Sequence, residues 1–267
     1  MRPCWRRWAL DPPRPISQRR FMFPIRDHNP SERTPYVTYA LIALNVMIFA
    51  SYWPLFNDEP VLGAFFETWG MQPIEVSSGA RTYTLLTSMF LHGGLMHLAG
   101  NMLFLWIFGD NLEDQMGHIG FALFYLAAGV GADVGQLLAD PSSTVPVVGA
   151  SGAIAGIMGG YLLLFPRARV DIVLIFIIFF KVFSVPAWVM LGVWFALQII
   201  NGVVSFGADG VGVAYWAHAG GFLIGMLLCL PLWLKRGGAG YWQATEGHPP
   251  HPDATYRSAI PVVTRRK

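Results

Sequence analysis

Charge is scarce in this 267-residue chain. Asp, Glu, Lys and Arg make up 13% of it, against roughly 25% in a soluble globular protein. With a hydrophobic fraction of 54% and a mean hydropathy of +0.46, that scarcity excludes an ordinary water-soluble fold. The same numbers exclude a disordered chain and a coiled coil. Cysteine is nearly absent: Cys4 and Cys229 stand near opposite ends, which excludes a disulfide scaffold and reads as two free thiols. There is no glycine-rich nucleotide motif, no His-Glu-x-x-His zinc motif and no internal repeat. No nucleic-acid partner is expected.

Long apolar runs are what the chain has instead. Crossing the hydrocarbon core takes about 20 apolar residues as a helix. Six stretches qualify, near Tyr36–Leu55, Gly94–Leu112, Gly120–Leu138, Val145–Phe165, Val185–Val204 and Val211–Leu234. The expected fold is therefore all-α, a polytopic membrane bundle of six transmembrane helices. A further run, Val170–Phe180, is too short to span. It reads either as a segment lying on the membrane surface or as an extension of the fifth helix. The connection from Asn57 to His92 carries Phe65, Phe66, Trp69 and Met71, so an interfacial element is expected there.

Positive charge orients the bundle. With the N-terminus inside, 17 of the 18 Lys and Arg residues fall on inner segments, and only Arg81 falls outside. Both termini are thus expected in the cytoplasm. Three regions follow: a basic tail over residues 1–35, the six-helix domain over 36–234, and a disordered Gly- and Pro-rich tail over 235–267. Residues 1–21 are Arg- and Pro-rich without the apolar core of a signal peptide. They read as a mis-called start upstream of Met22, with a targeting presequence as the rival.

Polar side chains at membrane depth are costly, and each is a functional candidate. Here they are His92, His97, Asn101, Asp133, Ser151 and His218, with Asn45 and Gln198 as weaker ones. A lone residue of this kind usually bonds one helix to another. Depth separates some of them from that reading. In the expected helices two, four and six, Asn101, Ser151 and His218 lie six or seven residues from the outer end, about 9–10 Å down. His97 shares the face of Asn101 at i−4. Gly152, Gly156 and Gly160 form small-xxx-small steps on helix four. His218, Gly221 and Gly225 share one face of helix six. Such faces let helices approach at backbone distance, so Ser151 and His218 can meet.

That pairing is nucleophilic chemistry. A serine hydroxyl needs a base to take its proton, and His218 is placed to be one. Acyl transfer builds an oxyanion that needs donors; the side chains of Asn101 and His97 and the Ser151 backbone N–H can serve. A Ser–His dyad is expected, with Asp133 the only carboxylate that could extend it.

The set Gly149-Ala-Ser151-Gly152, Ala217-His218-Ala-Gly-Gly221 and His92-x4-His97-x3-Asn101 resembles the rhomboid family of intramembrane serine proteases, over about Pro35 to Leu234. The resemblance implies Ser151 as nucleophile and His218 as general base. It implies an oxyanion hole of His97, Asn101 and the Ser151 amide, with Gly149 shaping that site. His92 would organise the nearby polar network, Glu113 would be structural, and the helix with Trp194 and Phe195 would form a lateral gate. Substrates would be single-pass transmembrane proteins within the lipid bilayer, cut near their outer ends, with no cofactor. Many members carry an aromatic residue four after the serine. Here it is Ala155, so something else must hold the His218 ring.

Three rivals stand beside this reading. One is a catalytically inactive rhomboid-like protein that binds membrane clients, though both Ser151 and His218 are present. A metal or haem protein would need His92 and His97 on one face, but i,i+5 spacing sets them about 140° apart. A transporter would place its polar site at the midplane. The remaining histidines, His28, His118, His248 and His251, read as solvated. The compact plan suggests a bacterial plasma membrane. Nothing in the sequence fixes the oligomeric state.

Overall fold

The computed structural model describes residues 21–29, 31–176, 179–205 and 213–248. Cys4, His251 and nearly all of the suspected mis-called start lie outside the described residues. A strand β1 (Phe21–Asp27) leads into α1 (Tyr36–Tyr52), a 3₁₀ turn and α2 (Glu59–Trp69). Two short helices follow, α3 (Pro73–Ser77) and α4 (Thr84–Thr87). Then come α5 (Leu95–Ala139), α6 (Ser151–Leu164), β2 (Arg169–Phe176), β3 (Phe179–Pro186), α7 (Ala187–Val204), α8 (Tyr215–Lys235) and α9 (Ala239–Thr245). Four helical segments, containing α1, α5, α7 and α8, are long and apolar enough to cross a membrane. The chain is a mostly helical, polytopic integral membrane protein.

α5 runs 45 residues but is broken at Gly117, whose φ of 71° and ψ of 166° are not helical. The expected connection between helices two and three is thus a one-residue break, giving two legs over 95–116 and 118–139. Only glycine adopts that backbone without strain.

α6 sits at the centre. All of its 14 residues except Ser151 and Leu162 are buried, as expected of a helix that is apolar all round. It is shorter than a span. The expected helix over 145–165 begins only at Ser151, because 145–150 contain Pro146 and a Gly149 with φ of 133°. Val147 instead pairs with Met71 in a two-way backbone bridge, tying the first connection to the loop before Ser151. That connection is built from helices and turns, with Phe65 packed on Tyr52 at 4.8 Å.

Two expectations are corrected. The fold is not all-α: β1, β2 and β3 form an antiparallel sheet in that order. The short apolar run is not an extension of the fifth helix: it falls in the paired antiparallel strands β2 and β3. Val170, Ile172, Val173, Ile175 and Val182 are β-branched and fit a pleated surface better than a helix. Its partner β1 lies in the segment read as a basic tail. The C-terminal tail also has order at its start. α9 docks through the Trp242 Nε1–H donated to the Leu163 carbonyl at 2.9 Å and through Trp233 at 4.9 Å. Two aromatics among glycines and prolines supply the apolar contact that average composition concealed.

The sheet packs at the end of the bundle away from Ser151. Asp171 on β2 is ringed by Arg26, His28 and Ser184. Burial alone would raise its carboxyl, but those partners hold it down to about 2. Asp27 behaves oppositely. It accepts from the Tyr161 hydroxyl at 2.7 Å and the Asn111 amide at 2.9 Å. Burial pushes its carboxyl up from 3.8 to about 7, and the Tyr161 bond recovers only part of that. A carboxyl raised in the folded state binds its proton there first. Its contribution to stability is full below the unfolded value and is lost as pH rises through the folded one. Asp27→Asn should therefore flatten the fall in thermal midpoint between about pH 4 and pH 7. Melting curves with the same pH slope in both proteins would contradict this.

Glu113 fixes the start of α1. Pro35 offers no side-chain cap. The Glu113 carboxylate accepts instead from the Val37 and Thr38 amides at 2.9 and 2.8 Å and from the Thr38 hydroxyl at 2.7 Å. His118, read as solvated, is a fourth partner of that carboxylate, and His28 likewise pairs with Asp171.

Candidate active site

Three helices bring the candidate residues together. α8 lies on α6 at backbone distance. A Cβ on Gly221 would fall 2.1 Å from the Gly152 carbonyl oxygen, and one on Gly225 would fall 2.0 Å from that of Gly156. On its other side, Gly220 meets Gly135 of α5, with 3.0 Å from an added Cβ to that Cα. These contacts carry His218 to Ser151: Nε2 and Oγ are 2.8 Å apart.

Asn101, Ser151 and His218 do not sit at equal offsets from their helix starts. α6 starts at Ser151 and α8 at Tyr215, so Ser151 is the first helical residue and His218 the fourth. Asn101 is the seventh of α5. The residues converge because the helix starts are staggered, not because the offsets are equal. A start at Ser151 leaves its N–H without an acceptor inside the helix and at the positive end of the helix dipole.

Beside the pair is a cavity of about 230 Å³. Ser151, His218, His97, Asn101, Met96 and Trp194 are among its lining residues. The Asn101 amide nitrogen is buried and has no hydrogen-bond partner among the described residues. His97 Nδ1 accepts from the Gly93 N–H at 3.3 Å. A neutral imidazole that accepts at one nitrogen carries its proton on the other, so His97 Nε2–H is a donor. It points toward Gly149: a Cβ there would lie 2.9 Å from His97 Nε2 and Cε1, and 3.3 Å from Ser151 Oγ. Position 149 thus excludes a side chain twice over, through its φ of 133° and through the space it faces.

The Gly149 N–H donates to the Ser88 carbonyl at 2.9 Å, and the Ser88 hydroxyl donates to Asp133 at 3.0 Å. Asp133 therefore supports the loop before Ser151 and is not bonded to His218. His92 departs from its expected role. Its imidazole is buried, and neither ring nitrogen makes a well-aligned hydrogen bond among the described residues; the Phe90 backbone is its polar neighbour. Its backbone is what bonds: N–H to the Tyr52 hydroxyl oxygen at 2.7 Å, and Tyr52 O–H to its carbonyl at 3.0 Å. The ring meets His97 edge-on at 5.2 Å.

The two weaker polar candidates, Asn45 and Gln198, part company in the structure. Asn45 donates to the Leu41 carbonyl of its own helix and its side chain meets the Tyr125 hydroxyl of α5. Gln198 Oε1 lies 2.8 Å from His218 Nδ1. Trp194, one turn earlier on α7, faces the same imidazole at 5.8 Å and 32°. Phe195 turns the other way and stacks on Phe222 at 4.7 Å. These contacts hold the His218 ring where Ala155 offers no aromatic face. The available signal is an amide one turn from Trp194 in a helix whose one other polar side chain is Asn201.

The sequence model of the Rhomboid domain matches residues 79–235, more than half of the chain and all of the residues just described from His92 to His218. The chain belongs to the rhomboid family. It is 30% identical over 200 residues to Rhomboid protein 1, mitochondrial, of Saccharomyces cerevisiae, covering 72% of this chain and 51% of that protein. It is 33% identical over 185 residues to RHOMBOID-like protein 4 of Arabidopsis thaliana, covering 67% and 42%. Against Rhomboid protease GluP of Bacillus subtilis it is 34% identical over 128 residues, covering 48% and 24%. This rhomboid thus spans about half the length of the yeast relative and less of the other two.

Proposed function

We propose that the protein is an intramembrane serine endopeptidase that cuts single-pass membrane proteins in or near their transmembrane segments. The observation that carries this reading is the 2.8 Å contact between Ser151 Oγ and His218 Nε2 at the wall of a cavity that Asn101 and His97 also line.

In this mechanism His218 Nε2 takes the Ser151 hydroxyl proton as Oγ attacks the scissile carbonyl carbon. The negative charge on the carbonyl oxygen is met by Asn101 Nδ2–H, His97 Nε2–H and the Ser151 N–H. The C–N bond breaks, and the His218 imidazolium gives its proton to the leaving amine. Water then attacks the Ser151 ester, with His218 again as base, and releases the new carboxyl terminus. No step calls for a cofactor. Gly149 leaves room for the substrate carbonyl beside His97.

We further propose six membrane crossings, the two legs of α5 counted separately and α6 as a short crossing enclosed by the others. The Lys and Arg distribution supports cytoplasmic termini, which would put the sheet and α9 at the inner face and the dyad toward the outer one. The catalytic unit would run from β1 to α9, a little beyond 36–234, with α7 as the side through which substrate enters. The bacterial plasma membrane gains no support from the relatives, which include yeast and plant mitochondrial proteins beside Bacillus ones.

The test is labelling of the detergent-solubilised chain by a fluorophosphonate, followed by peptide mass spectrometry. The expected result is one adduct, on Ser151, and cleavage of a single-pass substrate in proteoliposomes that the adduct blocks. A folded chain that takes no label and cuts no substrate would favour a client-binding protein instead.

A further inference from the structure

The contacts around His218 point to a third member of the site. We infer that Gln198 is a positioning residue that fixes the tautomer of His218. This rests on the protease reading above and adds a group to it.

The orientation of the amide is set one turn up α7. The Trp194 carbonyl oxygen can only accept, and Gln198 Nε2 lies 3.2 Å from it. Turning the amide over would face oxygen to oxygen, so the amide nitrogen belongs on Trp194 and Oε1 on His218. An amide oxygen has no proton to give. The 2.8 Å contact to His218 Nδ1 is therefore an Nδ1–H donating to Oε1. A neutral imidazole carries one proton. Nε2 is left as a bare lone pair, 2.8 Å from the Ser151 hydroxyl, which is the form a general base must have. With the other tautomer, Nε2–H would face Ser151 and no proton could be taken.

Three features make the arrangement specific. Gln198 is buried, so water competes little for its amide. Its Oε1 and Ser151 Oγ bond the two different nitrogens of one ring, which fixes the ring plane as well as the proton. Trp194 closes one face of that ring at 5.8 Å. The role matches the third position of a catalytic triad, filled here by a neutral amide as in Cys–His–Asn sites. Asp133, the only carboxylate the sequence offered for that position, is engaged by Ser88 instead.

The experiment compares Gln198→Leu and Gln198→Glu with wild type in the detergent-solubilised full chain. It reads the rate of fluorophosphonate labelling, with Ser151→Ala as the blank, and the ¹⁵N spectrum of histidine-labelled protein. Leucine keeps the volume and removes the acceptor; glutamate restores an acceptor. Gln198→Leu should slow labelling by about 10- to 100-fold, the size of loss seen when the partner orienting a metal-bound imidazole is removed. That is less than the roughly 10⁴-fold loss seen when an orienting carboxylate is replaced. Gln198→Glu, whose buried carboxyl keeps a proton to donate to the Trp194 carbonyl while its other oxygen accepts from His218, should recover most of the rate, which a purely packing role would not produce. In wild type the His218 resonances should show Nδ1–H, and in Gln198→Leu a mixture of tautomers. Wild-type labelling in Gln198→Leu, or Nε2–H in the wild-type spectrum, would overturn the inference. The spectrum also decides if Gln198→Leu fails to fold, since it needs no variant. A wild type that takes no label yet shows Nδ1–H at His218 would sink the protease reading and leave the tautomer assignment standing.

Discussion

Ser151→Ala and His218→Ala should each abolish fluorophosphonate labelling and lower cleavage of a single-pass substrate by about 10⁶-fold, and the double variant should be no worse than either. The equality follows from the geometry. Ser151 Oγ and His218 Nε2 share one hydrogen bond, and neither performs a chemical step without the other. A hydroxyl without its base is almost fully protonated, and a base without its hydroxyl has nothing to activate. What survives is binding plus oxyanion stabilisation by groups the variants leave in place, worth roughly 10³- to 10⁴-fold over water. Both proteins should fold. Ser151 is the first residue of α6 and caps nothing, and its side chain bonds only His218 among the described residues. Initial rates in proteoliposomes, with thermal melts as the folding control, measure this. Additive losses would mean that a second base acts on Ser151, and undiminished labelling of Ser151→Ala would remove it as the nucleophile.

The legible part of the molecule was whatever short sequence distances encode. Unbroken apolar runs of about 20 residues mark α1, α7 and α8, because a helix in lipid satisfies its own backbone and needs no polar face. Small-residue steps marked the Gly152–Gly221 and Gly156–Gly225 contacts, because only a missing Cβ permits them. The sheet was illegible for the opposite reason. β1 pairs with β2 across more than 140 residues, Asp27 opposite Val170, and no local pattern announces a partner that distant. The start of α6 was misplaced because apolar residues at 145–150 continue the hydropathy of the helix while Pro146 and Gly149 end its geometry. Gln198 was undervalued because a glutamine in an apolar helix gives no sign of which side chain it faces. Its role depends on α7 packing against α8 through Trp194, Phe195 and Phe222.

The second large effect is structural and reaches the site from a distance. Gly225→Ala should destabilise the protein by about 3 kcal/mol or more, at or beyond the upper end for overpacking a close contact. The added methyl would stand 2.0 Å from the Gly156 carbonyl oxygen and 2.4 Å from both its carbonyl carbon and its Cα. All three are backbone atoms, so no rotamer change relieves the clash. α6 and α8 must separate, with loss of packing along the whole seam. Gly192→Ala on α7 is the control. Nothing lies within 4 Å of its added Cβ, and alanine is favoured over glycine in a helix by up to about 1 kcal/mol, so that variant should match or exceed wild-type stability. The seam also sets the dyad. His218 lies two turns before Gly225 on α8, and Ser151 five residues before Gly156 on α6. Separation at the glycines would therefore lengthen the Ser151–His218 contact beyond hydrogen-bond range. Labelling of Gly225→Ala should fall even at temperatures where the variant is still folded, while Gly192→Ala labels normally. Equal melting and labelling in the two variants would mean that the helices do not meet at Gly156 and Gly225, and that something other than this contact holds His218 against Ser151.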